Sequence, residues 1–317
     1  MAKIRMEELS KQFAVRGGES FTALDDVSLD VAEGEFLVVV GPSGCGKSTL
    51  LDLLSGLARP DRGRVLIDGT RIDGPGLDRG IVFQQYALMP WRTAQRNVEF
   101  GLEAKPRLDR LGKKARAAKA REILALVDLT GFEDRYPHEL SGGMRQRVAI
   151  ARALAFDPDV LLMDEPFAAL DAQTRDSLQE VLLRIWEQTG KTIVFITHSI
   201  DEAVYLGQRV AVMTSRPGRI KEVVDVRLDS RGTDDDVRSS PEFAGYRHRV
   251  WSLLRDEVSA AQRLERGGDV PATASDEYSV SRDGTGSGSK SKAGAETKAG
   301  AGTATGTAQS REVVSVG

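Results

Sequence analysis

The sequence predicts an α/β fold: a mainly parallel sheet, an antiparallel β subdomain at its N-terminal side, and a helical subdomain inserted further along. Three observations predict it. Short unbroken apolar runs, FLVVV (36–40), RGIVF (79–83), VLLM (160–163), IVFIT (193–197) and VAVM (210–213), read as strands buried on both faces of one sheet. Helical spacing takes over directly after the first of them, in LLDLLSGLA. Apolar and polar residues alternate in IRMEELS and ALDDVSLDV, with turn-forming GGES between them, which predicts antiparallel strands up to about residue 35.

From Trp91 to Asp157 strand candidates give way to helix formers and to the apolar stripe of REILALVDL, so this stretch is the inserted helical subdomain. Ser240 and Pro241 provide a helix start. Phe243, Tyr246, Val250, Leu254 and Val258 then recur at three- or four-residue spacing, which predicts a last helix packed on the core. Beyond Gly267 the composition collapses to Gly, Ala, Ser, Thr and Lys, too little apolar surface to offset the entropy of ordering. The expected division is therefore a folded domain over 1–262 and a disordered low-complexity tail over 263–317. The tail's GTGSGSKS imitates a phosphate-binding loop, but Ser289 stands where glycine must precede the lysine and no strand leads into it.

Composition narrows the function classes. With 317 residues and 40 % hydrophobic content the chain can bury a real core, and a net charge of −3 supplies no field that draws a protein onto nucleic-acid phosphates. The one cysteine, Cys45, has no intramolecular partner, which points away from a secreted disulfide scaffold and towards a reducing compartment. No segment offers the roughly 18 consecutive apolar residues of a membrane span, and MAKIRMEELS is not a signal peptide. Any membrane role is expected to run through partners.

The chemistry begins at Gly41-Pro42-Ser43-Gly44-Cys45-Gly46-Lys47-Ser48, which fits G-x-x-x-x-G-K-[ST] between a predicted strand and a predicted helix. Glycines let such a backbone curl until its N–H groups face phosphate oxygens, and the helix adds its positive end. Lys47 then supplies charge for β and γ phosphates, Ser48 a hydroxyl ligand for Mg2+, and Thr49 a further donor. Far along the chain, VLLMDEP sets Asp164 and Glu165 at the carboxyl end of an apolar strand, where open α/β sheets bind ligands. Two adjacent acids suit two tasks in phosphoryl transfer: Asp164 orients Mg2+ through its water shell and Glu165 polarises the attacking water.

A second anion site appears in LSGGMRQR (140–147), where Ser141, Gly142 and Gly143 open the helical run VAIARAL. One ATP does not need two such cradles from distant parts of one domain. Here the chain resembles the ABC ATPase family, over roughly residues 3–260, with a core of the P-loop NTPase type. The remaining motifs fall in order: Gln84 in VFQQ matches the Q-loop, Ala168 to Asp171 the D-loop, and His198 in ITHS the switch histidine. The resemblance implies that Ser141 to Gly143 of one copy cover the γ-phosphate held by the phosphate loop of a second copy. It also implies that Gln84 senses Mg2+ and water, that Asp171 links the two active sites, that His198 bonds the γ-phosphate, and that Phe13 stacks on adenine. Phe21 stands close by, and either ring can equally be a packing residue. Two departures from the family pattern, Ala168 for serine and Phe13 for tyrosine, remove no catalytic group.

By the same resemblance, YALMPW (86–91) lies where the family receives a coupling helix of a membrane permease; ordinary core packing is the alternative for each of its residues. The string GPGLDRGIVFQQYALMPW is similar to bacterial importers of nitrate, sulfonates and taurine. The chain is expected to be an ATPase using ATP and Mg2+, paired with a second copy of itself, and seated at the cytoplasmic face of the cell membrane. Its other expected partners are permease subunits and, indirectly, a solute-binding protein, with no nucleic acid. The competing class is a non-transport ABC ATPase acting on nucleic acid or ribosomes, which usually carries a long coiled-coil insertion or a second cassette; neither heptads nor a second LSGG is present. His138 and His248 lack metal-ligand spacing and read as surface or packing residues, Cys45 as a small filler in the loop, and KKARAAKAR (113–121) as a solvated helix face.

Overall fold

A computed structural model describes residues 2–14, 20–104, 112–228 and 237–266, with the side chains of 260–266 excepted. Of the low-complexity tail expected over 263–317, residues 263–266 belong to the last helix and 267–317 lie outside the described residues.

Two sheets are present among these residues. In the first, β1 (Ala2–Ala14) pairs antiparallel with β2 (Ser20–Ala32) on one side and with β4 (Arg62–Ile67) on the other, and β4 continues to β5 (Thr70–Arg71). The second has the order β10-β9-β3-β8-β7-β6. Its strands are β3 (Phe36–Val40), β6 (Arg79–Val82), β7 (Val160–Asp164), β8 (Thr192–Thr197), β9 (Arg209–Met213) and β10 (Ile220–Asp225). All run parallel except β10, which returns antiparallel to β9. The apolar runs are therefore strands of one sheet, as their unbroken character requires. β3 shows why: Phe36, Val38 and Val40 enter one apolar core and Leu37 and Val39 the other, so neither face can be polar.

Helix α1 (Lys47–Ser55) and the antiparallel sheet cover one side, Leu50, Leu51, Leu53 and Leu54 joining Ile4, Leu24 and Val65 in that core. The 91–157 stretch folds into α2 (Ala94–Glu103), α3 (Lys113–Leu126) and α4 (Gly142–Ala155), whose apolar faces join the other core through Val98, Leu102, Leu124 and Val148. Thr93 caps α2, its hydroxyl accepting from Arg96 N–H. Within α2 the buried Asn97 ties down the segment before the helix: its Oδ1 accepts from Met89 N–H and its Nδ2 donates to the carbonyls of Met89, Arg92 and Thr93. α5 (Ala172–Thr189) and α6 (Ile200–Leu206) follow β7 and β8.

The last helix, α7 (Pro241–Arg266), starts where expected, with Ser240 Oγ accepting from Phe243 N–H at 3.1 Å. Phe243, Val250 and Leu254 are buried, but Val258 is 41 % exposed. The predicted stripe thus leaves the core in its last turns, where Val258 borders an open cavity beside the phosphate loop. No helix among the described residues is long and apolar enough to cross a membrane.

Candidate nucleotide site

The strand order brings the motifs to one edge. Because β3, β8, β7 and β6 are adjacent and parallel, their carboxyl ends lie side by side. Val40 pairs with Thr197, Asp164 with Ile196, and Val82 with Met163. The phosphate loop after β3, His198 after β8, Asp164 and Glu165 at the end of β7, and Gln84 after β6 consequently leave the sheet at the same level, where open α/β sheets bind ligands.

The loop itself is built for phosphate. Gly46 has φ 98, a conformation that costs an L side chain, and a Cβ there would meet Leu24 Cδ2 at 2.7 Å and Ala23 O at 2.8 Å. The first-turn N–H groups of α1 have no carbonyl one turn back to bond, so they remain available to an anion. Lys47, itself buried, donates from Nζ to Gly41 O at 2.9 Å and Pro42 O at 3.1 Å. An ammonium has three protons, so one stays free for a phosphate oxygen. Ser43, Gly44 and Ser48 are exposed and Thr49 is half-buried, while Gly41, Pro42 and Cys45 are buried. Burial pushes the Cys45 thiol above its ordinary pKa, in keeping with a filler rather than a reactive thiol.

Opposite the loop, Ser48 Oγ donates to Asp164 Oδ1 at 3.4 Å. Burial raises the Asp164 carboxyl, the Ser48 hydroxyl lowers it in part, and the nearby charges of Glu165 and Asp52 raise it further. Such a crowd of acids favours a cation beside it. A serine hydroxyl and a carboxylate are hard oxygen donors that suit Mg2+, an ion that takes only one or two carboxylates and completes its shell with water and substrate phosphates. Glu165 is held at φ 43, with its N–H bonded to Ile196 O at 3.0 Å, and its Oε2 lies 2.9 Å from His198 Nδ1. That backbone region is uncommon for a residue with a side chain.

Ser141, Gly142 and Gly143 stand apart from this edge. Ser141 caps α4, its Oγ accepting from Met144 N–H at 3.3 Å, and is exposed. Gly143 is required by packing, since a Cβ would run into Thr174 Cγ2 on α5. The depression that Ser141 and Gly143 line shares no residue with the one lined by Gly41, Pro42, Ser43 and His198. Asp171 caps α5: Oδ1 accepts from Thr174 N–H at 3.0 Å and Oδ2 from Thr174 Oγ1 at 2.7 Å, bonds that hold its carboxyl below the ordinary range. Gln84 is exposed just past β6. Phe13 is half-buried and stacks on Phe21, its cross-strand neighbour, with ring centroids 5.5 Å apart. His138 stacks on Tyr136 and His248 on Trp251.

Some neighbours of the site carry no sequence signal. Trp251, Leu254 and Arg255 of α7 close a cavity of about 500 Å³ against Pro42, Ser43 and His198. Arg216, in the turn after β9, donates to Gly44 O. Only the packing of distant segments brings them here, so no motif spacing could have found them.

A parallel sheet, a phosphate loop between β3 and α1, and acids at the end of β7, with β8 between it and β3, define a P-loop nucleoside triphosphatase. The profile of the family described as ABC transporter matches residues 24–168. An ABC transporter ATP-binding protein of Methanocaldococcus jannaschii is 56 % identical over 256 residues, covering 81 % of this chain and 92 % of the relative. The taurine import ATP-binding protein of Rhizobium johnstonii is 46 % identical over 255 residues, covering 79 % and 96 %. Among solved structures, an ATP-binding cassette in a dimeric post-hydrolysis state bound to ADP and Pi has a TM-score of 0.64 at 36 % identity, covering 71 % of this chain and 99 % of that one. The chain belongs to the ABC transporter ATP-binding proteins and is an ATPase of that family.

Proposed function

We propose that residues 1–262, with the helical subdomain over about 91–157, form the ATPase domain of an importer subunit that works as a pair of identical chains at the cytoplasmic face of a membrane. The observation that carries the ATPase part is the shared strand edge, where Lys47, the Ser48–Asp164 pair and the Glu165–His198 pair meet.

Gly41 to Thr49 bind the triphosphate of ATP through backbone N–H groups and Lys47, and a planar ring at Phe13 receives the adenine. Ser48, Asp164 and Gln84 would hold Mg2+, which supplies charge neutralisation at the β and γ phosphates. Glu165 orients the attacking water and takes its proton. His198, whose Nδ1 lies 2.9 Å from Glu165 Oε2, bonds a γ-phosphate oxygen. Asp171 stands between the two sites of the pair.

Ser141, Gly142 and Gly143 supply the second phosphate contact from the other copy. A two-fold axis completes both sites at once, and ATP favours the closed pair because it touches both chains there. Turnover of ATP removes that preference and the pair reopens.

The membrane partner is a permease with an apolar segment for the surface around YALMPW. Trp91 is 73 % exposed and is not a core residue; Phe83 and Phe100 are exposed as well, and Ile81, Phe100, Arg152 and Phe156 line a cleft of about 260 Å³. Similarity to taurine import ATP-binding proteins supports taurine, another sulfonate, nitrate or a comparable small solute as cargo, delivered by a solute-binding protein. Affinity capture of the tagged chain from detergent-solubilised membranes of its source, with ATPase assayed on the product, tests this. A multi-span protein should copurify; soluble partners or nucleic acid alone, with activity that responds to them, would overturn the transport reading.

A further inference from the structure

The turn between β9 and β10, residues 214–219, is fastened to β2. Gly218 N–H donates to Ala23 O at 2.9 Å, Gly218 O accepts from Asp25 N–H at 3.0 Å, and Arg219 pairs with Asp25. This anchorage fixes Arg216, two residues before Gly218. Its guanidinium carbon lies 4.8 Å from the Phe21 ring centroid, and its Nε and Nη2 both donate to Gly44 O at 3.3 Å. Phe21 in turn stacks on Phe13. One cation therefore bridges an aromatic pair on the antiparallel sheet and the phosphate loop of the parallel sheet.

We propose that Arg216 is a positioning residue for the nucleotide, joining the ring pair that receives a planar base to the loop that receives its phosphates. This rests on ATP binding at Gly41–Thr49. Arg216 holds the carbonyl end of the Gly44–Cys45 peptide unit, and the other end, Cys45 N–H, donates to Pro42 O at 3.3 Å. Cys45 N–H keeps that peptide in place by its own bond to Pro42 O, so Gly44 O is a fixed point to which Arg216 fastens the ring pair. A guanidinium can bond in its plane while its face covers an aromatic ring; an ammonium cannot do both. The phosphates draw most of their affinity from the loop and Lys47. The base draws its share from the ring geometry that Arg216 locks to that loop. Arg216 accordingly sets how much a base adds to the affinity that a bare triphosphate already has.

The test compares MgATP with magnesium tripolyphosphate, which lacks base and sugar, on the full chain by titration calorimetry. Arg216→Lys keeps the charge and should weaken ATP about tenfold while changing tripolyphosphate less than about twofold. The KM for ATP should rise by the same factor with kcat within about twofold. Phe21→Leu, which leaves Arg216 and the loop in place, should give the same ATP-selective loss, and the double variant should lose no more than either single one. An unchanged ratio of the two affinities in both single variants, or equal losses for both ligands, would overturn the proposal. A wild-type chain that bound neither ligand would instead overturn the nucleotide site itself, and this inference with it.

Discussion

His198 Nδ1 lies 2.9 Å from Glu165 Oε2, although the two residues are 33 positions apart in the chain. They meet because β7 and β8 are parallel neighbours in a register that pairs Asp164 with Ile196. The carboxylate at the end of one strand and the imidazole just past the end of the next are thereby a fixed pair, with Glu165 held at φ 43 to face it.

If Glu165 is the base, Glu165→Gln should leave ATP binding intact and slow turnover by about 10²- to 10⁴-fold, the scale of losing a positioned general base. Steady-state ATPase assays together with equilibrium ATP binding check both halves. Turnover within a few-fold of wild type would remove Glu165 from that role.

Asp164 is expected to trade stability for function. Burial raises its carboxyl pKa above the ordinary 3.8, so the folded state binds a proton more readily than the unfolded chain, and near neutral pH it carries a charge it disfavours. As pH falls through the raised folded value towards 3.8, the folded chain takes up the proton and that penalty is relieved. Asp164→Asn should therefore raise the melting temperature of the nucleotide-free chain near pH 7 by about 2 °C, the shift that about 0.5–1 kcal/mol gives a domain of this size. The gain should shrink as pH falls. Mg2+-dependent ATPase activity should be lost in the same variant. Thermal melts at pH 7 and pH 4.5 decide it; a lower melting temperature at pH 7 would contradict it.

Trp91 presents nearly three-quarters of its surface, while Asn97 holds the backbone around it in place. Trp91→Ala should change stability by no more than about 0.5 kcal/mol, as surface substitutions do, and leave basal ATPase activity alone. It should uncouple solute transport from ATP turnover in reconstituted vesicles. Wild-type transport by Trp91→Ala would sink the docking role.

How much could be read beforehand depended on whether the information was local. The unbroken apolar run at 36–40 and the glycine spacing at 41–48 are local, and both the strand and the loop stand where they imply. The strand order is not local. Nothing in RGIVF says that β6 is an edge strand beside β7, yet that pairing is what brings Gln84 to the level of Glu165. Val258 follows its helix's apolar spacing but emerges beside the phosphate-loop cavity, because periodicity gives a face and not how far the partner surface extends. The resemblance gives the adenine to Phe13, with Phe21 only close by in sequence, and side by side on neighbouring strands the two form one ring pair. Arg216 had no signal at all, since a hydrogen bond to Gly44 from 172 residues away is set by how the β9–β10 turn meets β2.

We propose that each site is completed by the other copy, since Ser141 and the phosphate loop line separate depressions of one chain. Sedimentation velocity on the full-length Glu165→Gln chain, with and without MgATP, tests it most directly, alongside the same chain carrying Ser141→Arg. Glu165→Gln should sediment as a dimer with ATP and as a monomer without it, and the added Ser141→Arg should keep it monomeric while ATP still binds. A chain that stays monomeric with ATP bound, or an ATP-dependent dimer that Ser141→Arg does not disturb, would contradict the composite site.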